Sequence, residues 1–308
     1  MSTFTRPAAG DDPQWPRAST WLASESTEPA LTVVGVPCSV GSISPSQAWQ
    51  TPPAVRQALA RLSTWDPEAR HDLATLPVAD VGDWPVQDMT LQPALDEVAL
   101  RATLLNPRSV HVFLGGDNAI TRPLVRGLLG PDLGRVGLLT FDAHHDVRHL
   151  DEGPRNGTPV RGLIQDGLPG GQVIQIGIGS FTNSAPYAAW CAAAGITVLT
   201  ASQVRRRGML AVVGEALADL SGRCDAIFVD FDMDVLDVAY APACPGARPG
   251  GLTPEELLQA AHLCGAHPAV LGADLVEVDA TTDHDGRTVM VTAMTLLAFA
   301  SGLAAGNS

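Results

Sequence analysis

Short, nearly continuous apolar runs alternate with amphipathic stretches along most of this chain. The runs are LTVVGVP from Leu31, SVHVFLGG from Ser109, GRVGLLTFD from Gly134, QVIQIGIG from Gln172, ITVLTA from Ile196, AIFVDFD from Ala226 and AVLGADLVEV from Ala269. Their length and apolar character predict strands buried on both faces. Between them, PALDEVALRATLL after Gln92, MLAVVGEALADL after Gly208 and PEELLQAAHLC after Thr253 carry the apolar spacing of helices packed on a sheet. Strands and helices in alternation predict an α/β fold, a three-layer α/β/α sandwich with a mostly parallel central sheet, because right-handed crossovers lay helices on both faces.

Local signals sharpen this outline. Thr253, Pro254 and Glu256 form a Thr-Pro-x-Glu start, which predicts a capping box at the head of a helix. Before it, Pro242, Pro245 and Pro249 interleave with Gly246, Gly250 and Gly251, so a stiff irregular loop is expected there. Residues 1–29 are rich in Pro, Ser, Thr, Asp and Glu without periodicity and predict an irregular leader on the surface. Residues 30–308 then form a single domain. The apolar stretch TVMVTAMTLLAFASGL near the C-terminus predicts a helix on the sheet, short of a membrane span.

Composition removes whole classes of function. A formal net charge of -14 disfavours nucleic acid, which needs a basic stripe to neutralise phosphate. No lysine occurs, so a lysine Schiff base and a phosphate-loop lysine are excluded. The five cysteines, Cys38, Cys191, Cys224, Cys244 and Cys264, are odd in number and widely spaced, which argues for a reducing cytoplasm rather than a disulfide framework. The N-terminus carries acids where a secretory signal has its apolar segment, and a soluble protein without membrane contact is expected.

Two acidic clusters carry the chemistry. In FDAHHDVR, Asp142, His144 and Asp146 follow an apolar run at alternate positions, and in extended chain they share a face. In AIFVDFDMDVLD, Asp230, Asp232 and Asp234 share one parity while Ile227, Val229, Phe231 and Met233 share the other. Carboxylates two apart on a strand lie roughly 6.5 Å from each other, and each ionised pair costs about 2 to 3 kcal/mol at an effective dielectric near 20. A bound cation reverses that penalty. Both clusters fall at the C-terminal ends of strands, the ligand-binding edge of open parallel sheets, so two strands can share one metal site. A donor set rich in oxygen, with one imidazole and no thiolate, favours a hard ion such as manganese. His145, of opposite parity, is read as structural. A third element, VFLGGDNAIT, ends another strand at Gly115, Gly116 and Asp117, where Asp117 or Asn118 can cap the following helix.

Taken in order, GGDNAI, DAHHD and DFDMDVLD followed by PACPGARPGGLT resemble the three signatures of the arginase, agmatinase and formimidoylglutamase superfamily. TPPAVR at Thr51, VADVGD and DLVEVD at Asp274 are similar to further family segments, so only the leader lies outside the resemblance. The resemblance implies an arginase-like fold, a metal-dependent hydrolase of linear amidines or guanidines, and two manganese ions per subunit. It implies that Asp142 and Asp232 bridge the ions, that His144 and Asp234 complete one, and that Asp146 and Asn118 hold the other. It also implies that a metal-bridging hydroxide attacks the amidine carbon, Asp146 relays the proton to the leaving nitrogen, and Glu277 binds the amidinium. A trimer or hexamer is usual in that superfamily.

The chain departs from the pattern at two places. Asn118 stands where a histidine is usual, and its neutral amide oxygen is a weaker donor, so that ion site is expected to be weak or empty. Asn156 in RNGTPVR replaces another imidazole and keeps only hydrogen-bonding to substrate. The texture of DVLDVAYAPACPGARPGGLT and GGDNAIT is closest to bacterial formimidoylglutamases, which turn N-formimidoyl-L-glutamate into L-glutamate and formamide. Such a substrate needs cationic forks for its carboxylates; among Arg148, Arg155, Arg161 and Arg248, the residues favoured are Arg148 and Arg248. Two alternatives stay open: an agmatinase or guanidinobutyrase, and a metal-poor non-catalytic binding protein suggested by the two lost imidazoles.

Overall fold

The apolar runs become one eight-stranded sheet in a computed structural model that describes residues 12–24 and 26–306. Its strands are β1 (Leu31–Gly35), β2 (Val78–Asp83), β3 (Val110–Leu114), β4 (Val136–Phe141), β5 (Val173–Ile178), β6 (Thr197–Thr200), β7 (Ala226–Asp232) and β8 (Val270–Val276). They lie in the order β2-β1-β3-β8-β7-β4-β5-β6, and every pairing is parallel. Burial follows position. All residues of β4 and β5 are buried, whereas the edge strands β2 and β6 are only partly covered, so the near-continuous apolar runs mark strands shielded on both faces.

Helices cover the sheet in two layers. One face carries α1 (Ala18–Leu22), α2 (Thr51–Leu59), α7 (Ala201–Arg207), α8 (Met209–Ser221), α9 (Pro254–Ala266) and α10 (Arg287–Gly306). The other carries α3 (Leu91–Thr103), α4 (Thr121–Leu129), α5 (Pro159–Gln165) and α6 (Ala185–Ala194). Ile227, Val229 and Phe231 of β7 pack under the first layer, while Phe228, and with it the parity of Asp230 and Asp232, faces the second. The expected division of β7 into an apolar and an acidic face is therefore real, and the acids point toward α3 to α6.

The capping box forms as its sequence predicts: the Glu256 amide donates to Thr253 Oγ1 and the Thr253 amide donates to Glu256 Oε2. The segment read as an irregular surface leader differs from expectation. Its described part includes α1, whose Ala18, Trp21 and Leu22 are buried in the core, and Trp21 Nε1 donates to the Leu76 carbonyl. Five residues are too few to show a period, which is why the pattern hid a helix that tertiary packing stabilises. Helix α10 is also longer than expected, 20 residues, and apolar enough by length and composition to cross a membrane. In this fold 67% of its most apolar window is buried, where it serves as a core helix.

Candidate metal centre

Adjacency of β4 and β7 builds the centre. Phe141 pairs with Phe231 across the two strands, so the next residue of each, Asp142 and Asp232, emerges side by side at the C-terminal edge. Beyond β7 the chain tightens into a 3-10 turn (Met233–Val235) that brings Asp234 back over Asp232, with the Asp234 amide donating to Asp232 Oδ1 at 2.8 Å. Beyond β4 the chain runs through His144 to Asp146, and the His144 amide donates to Asp142 Oδ1 at 2.6 Å. Two triads result, Asp142 with His144 and Asp234, and Asp142 with Asp146 and Asp232; within each, one donor atom per residue lies within 4.8 Å of the others. Asp142 belongs to both.

Two further strands close the site. After β3, Gly116 approaches the chain beyond β1 so tightly that a Cβ there would sit 1.7 Å from the Cys38 carbonyl oxygen, which only glycine allows. The turn that follows (Asn118–Ile120) is capped by Asp117 Oδ1, and it aims Asn118 at Asp146, Nδ2 lying 2.7 Å from Oδ2. Just past β8, Glu277 Oε1 accepts from the Asn118 amide at 2.8 Å and from Asn156 Nδ2 at 3.0 Å. Asp146 and Glu277 have φ of 51° and 66°, left-handed backbone that costs a non-glycine residue on the order of 1 to 2 kcal/mol. Such strain persists where the surroundings over-determine it, as at a working site.

The electrostatics are those of a cation trap. Burial, reinforced by Asp234, pushes Asp142 up to about 7. Burial, reinforced first by Asp142 and by Asp234 respectively, holds Asp146 and Asp232 well above the usual carboxylate range. Glu277 is raised by burial to about 7 despite its two donors. The one positive group is His144. Burial works against its charge, but Asp234 at 2.9 Å and Asp142 at 3.4 Å outweigh burial and push it up to about 12. In return His144 draws Asp234 below its ordinary value against the effect of burial.

The donor set fits a pair of hard divalent ions: clustered carboxylates, one imidazole and one amide, with no arginine paired to any of them among the described residues. Asn118 adds an independent test of fit. Thr121 Oγ1 lies 2.6 Å from Asn118 Oδ1 and 2.7 Å from Asp274 Oδ2, yet a hydroxyl has one proton and cannot donate to both. Turning the amide over lets Nδ2 donate to Thr121 and Thr121 donate to an ionised Asp274. The amide oxygen then faces Asp146, an oxygen pair that a cation between them makes favourable.

The expected ligands Asn118, Asp142, His144, Asp146, Asp232 and Asp234 thus converge, with Asn156 and Glu277 beside them. Among the described residues the favoured arginines bond none of these ligands. Arg148 is exposed and lies across Gly157 at the mouth of the site, and Arg248 is exposed with its guanidinium on the carbonyls of Pro245 and Ala247 in its own loop. Both follow ligand segments in sequence, but a loop position does not say where a long side chain reaches. Asp230 sits one step behind the ligands, in register with Thr140 and Asp274 on the neighbouring strands. His145 hydrogen-bonds Gln175 through Nδ1 at 2.7 Å and anchors the ligand loop. Thr121 and Asp274 were not singled out, although Thr121 closes the GGDNAIT run one helical turn after Asn118.

The chain is similar to known proteins. Residues 29–301 match the arginase family profile. A formimidoylglutamase of Halalkalibacterium halodurans is 39% identical over 275 residues, 88% of this chain and 86% of that protein. The crystal structure of formimidoylglutamase from Bacillus subtilis superposes with a TM-score of 0.88 at 32% identity, covering 97% of this chain and 96% of that one. A Trypanosoma cruzi formiminoglutamase solved with two Mn2+ gives a TM-score of 0.86 at 25% identity, covering 94% and 99%.

Proposed function

The chain belongs to the arginase family, and on that premise we propose that it hydrolyses the C-N bond of N-formimidoyl-L-glutamate, a linear amidine. Water adds to the amidine carbon, the bond from that carbon to the glutamate nitrogen breaks, and formamide and L-glutamate leave. The observation that carries this reading is the pair of ligand triads sharing Asp142, with the Glu277 carboxylate held beside them.

Asn118, Asp142, His144, Asp146, Asp232 and Asp234 would hold two manganese ions. When bound, such a pair acidifies shared water and supplies a nucleophile at neutral pH. Asp146, half-buried and raised, accepts the proton of the attacking water and returns it to the departing nitrogen. Glu277 binds the amidinium. Both of its hydrogen bonds fall on Oε1, so Oε2 is left for the substrate, and Asn156 fixes the carboxylate's plane. Asn156 spans the pocket wall by also accepting from the Ile43 amide at 3.0 Å.

The same proposal takes residues 30–308 as one catalytic domain, active in the cytoplasm as a trimer or hexamer. All five cysteines are free and buried, in keeping with a reducing compartment. Exposed Trp65, Leu210 and Met294 line one groove on the α8 to α10 face, an apolar surface suited to contact between subunits. The deciding experiment is a hydrolysis panel with manganese present: formimidoyl-glutamate, agmatine, guanidinobutyrate and arginine. Formamide release from the first alone is expected; urea release from any of the other three, with formimidoyl-glutamate untouched, overturns the assignment.

A further inference from the structure

Arg161, in the first turn of α5, is the one buried arginine among the described residues, 7% exposed. Two less buried arginines have carboxylate partners. Arg56 and Arg122, with side chains 22% and 24% exposed, pair with Asp80 and Asp83 and with Asp166. Arg161 has no ion pair among the described residues. Its Nε is buried without any partner, its Nη1 faces His149 Nδ1 at 3.2 Å, and its guanidinium lies over Trp190 at 4.4 Å and Tyr187 at 5.9 Å from the ring centroids. A guanidinium stacked on aromatic faces is held flat with its donor edges presented. Buried positive charge without an anion is unfavourable.

Position connects this charge to the metal centre. The Arg161 amide donates to the Asp146 carbonyl at 3.3 Å, so α5 starts against the backbone of a ligand residue, and Asn156, which holds Glu277, lies just before the same helix. His149, exposed, follows the ligand loop and opens the aromatic slot toward the surface, with Tyr187 and Trp190 half-buried beside it. A planar fork without an ion partner, at the head of a helix that starts against a ligand residue, suits a carboxylate, which takes two parallel N-H donors.

We propose that Arg161 is a specificity-determining residue that binds a carboxylate of the substrate's glutamate portion. This rests on the amidine-hydrolase reading above and adds to it the requirement for an acidic tail. The test uses the manganese-loaded full chain with Arg161→Gln and Arg161→Lys. Loss of a charge-assisted fork raises the KM for formimidoyl-glutamate by roughly 10- to 100-fold while kcat stays within a few-fold, and Arg161→Lys is intermediate. Inhibition by L-glutamate weakens in parallel, and turnover of N-propylformamidine, which has no carboxylate, is unchanged. An equal loss on both amidines, a lowered melting temperature in both variants, or an altered oligomer mass with an unchanged KM assigns Arg161 to the scaffold or a subunit contact and overturns the proposal. Binding separates this inference from the activity itself. L-glutamate and glutarate raise the melting temperature of the wild type but not of Arg161→Gln, whether or not formimidoyl-glutamate is turned over; an equal rise in both proteins refutes the carboxylate site.

Discussion

The two halves of the metal centre share Asp142 but differ in their second donor type. On one side His144 stands between Asp142 and Asp234, and Asp234 is drawn below its ordinary range despite burial. On the other, Asn118 offers an amide to Asp146, and Asp146 stays well above its range. A single change of side chain separates the halves: an incoming cation displaces the proton that the two carboxylates hold on His144 and gains an imidazole, a stronger donor than the neutral amide of Asn118. The lesson is that similar clusters of aspartates need not bind metal equally: the neutral donor beside them sets the order of filling.

Removing what the halves have in common gives the largest effect. Asp232→Ala deletes a carboxylate from the heart of the cluster; turnover should fall by roughly 1000-fold or more, and manganese should no longer raise the melting temperature. Retained manganese stabilisation in that variant would dismantle the centre as described. Making the halves alike comes next. His144→Asn should weaken the stronger site by more than the ~10- to 100-fold that loss of an outer partner brings, and calorimetric titration should show two similar weak sites. The reverse exchange, Asn118→His, should tighten the weaker site roughly 10-fold, with manganese retained on dialysis against a chelator that strips the wild type to one ion. An unchanged isotherm would contradict the inequality of the two halves. The smallest change is Thr121→Val, which frees the Asn118 amide to point its nitrogen at the cation. A loss of about 10-fold at that site alone is expected, restored by Thr121→Ser.

Most of this centre was readable because acidic clusters that follow apolar strands fall at the ligand-binding edge of a parallel sheet. Asp232 ends β7 with the parity expected of it, but Asp142, His144 and Asp146 lie in irregular chain past β4 and Asp234 in a 3-10 turn, so their place at the C-terminal edge of a parallel sheet, not extended alternation, brings them together. What parity cannot convey is contact across sequence. Thr121 meets Asp274 at a separation of 153 residues, and nothing in either neighbourhood announces the partner. Arginines illustrate the same limit: Arg148 and Arg248 follow ligand motifs yet end exposed, while Arg161, within a helix, is the one buried by the aromatic residues of α6. Left-handed backbone at Asp146 and Glu277 was invisible too, since the residue type that signals it, glycine, is absent there. Helix α1 escaped because five residues hold barely one turn.

Strand order also dictates when a ribosome-bound chain can first hold its cations. The segment carrying Asp142 and His144 and the one carrying Asp234 flank neighbouring strands and can meet as soon as β7 has emerged. Asn118, by contrast, rides on β3, which joins them only when β8, the final strand to be synthesised, slots between β3 and β7. The second triad, Asp142, Asp146 and Asp232, comes from the same two strands, so closure of the sheet around β8 adds only its amide donor, and a truncation that removes β8 is expected to leave that site without Asn118.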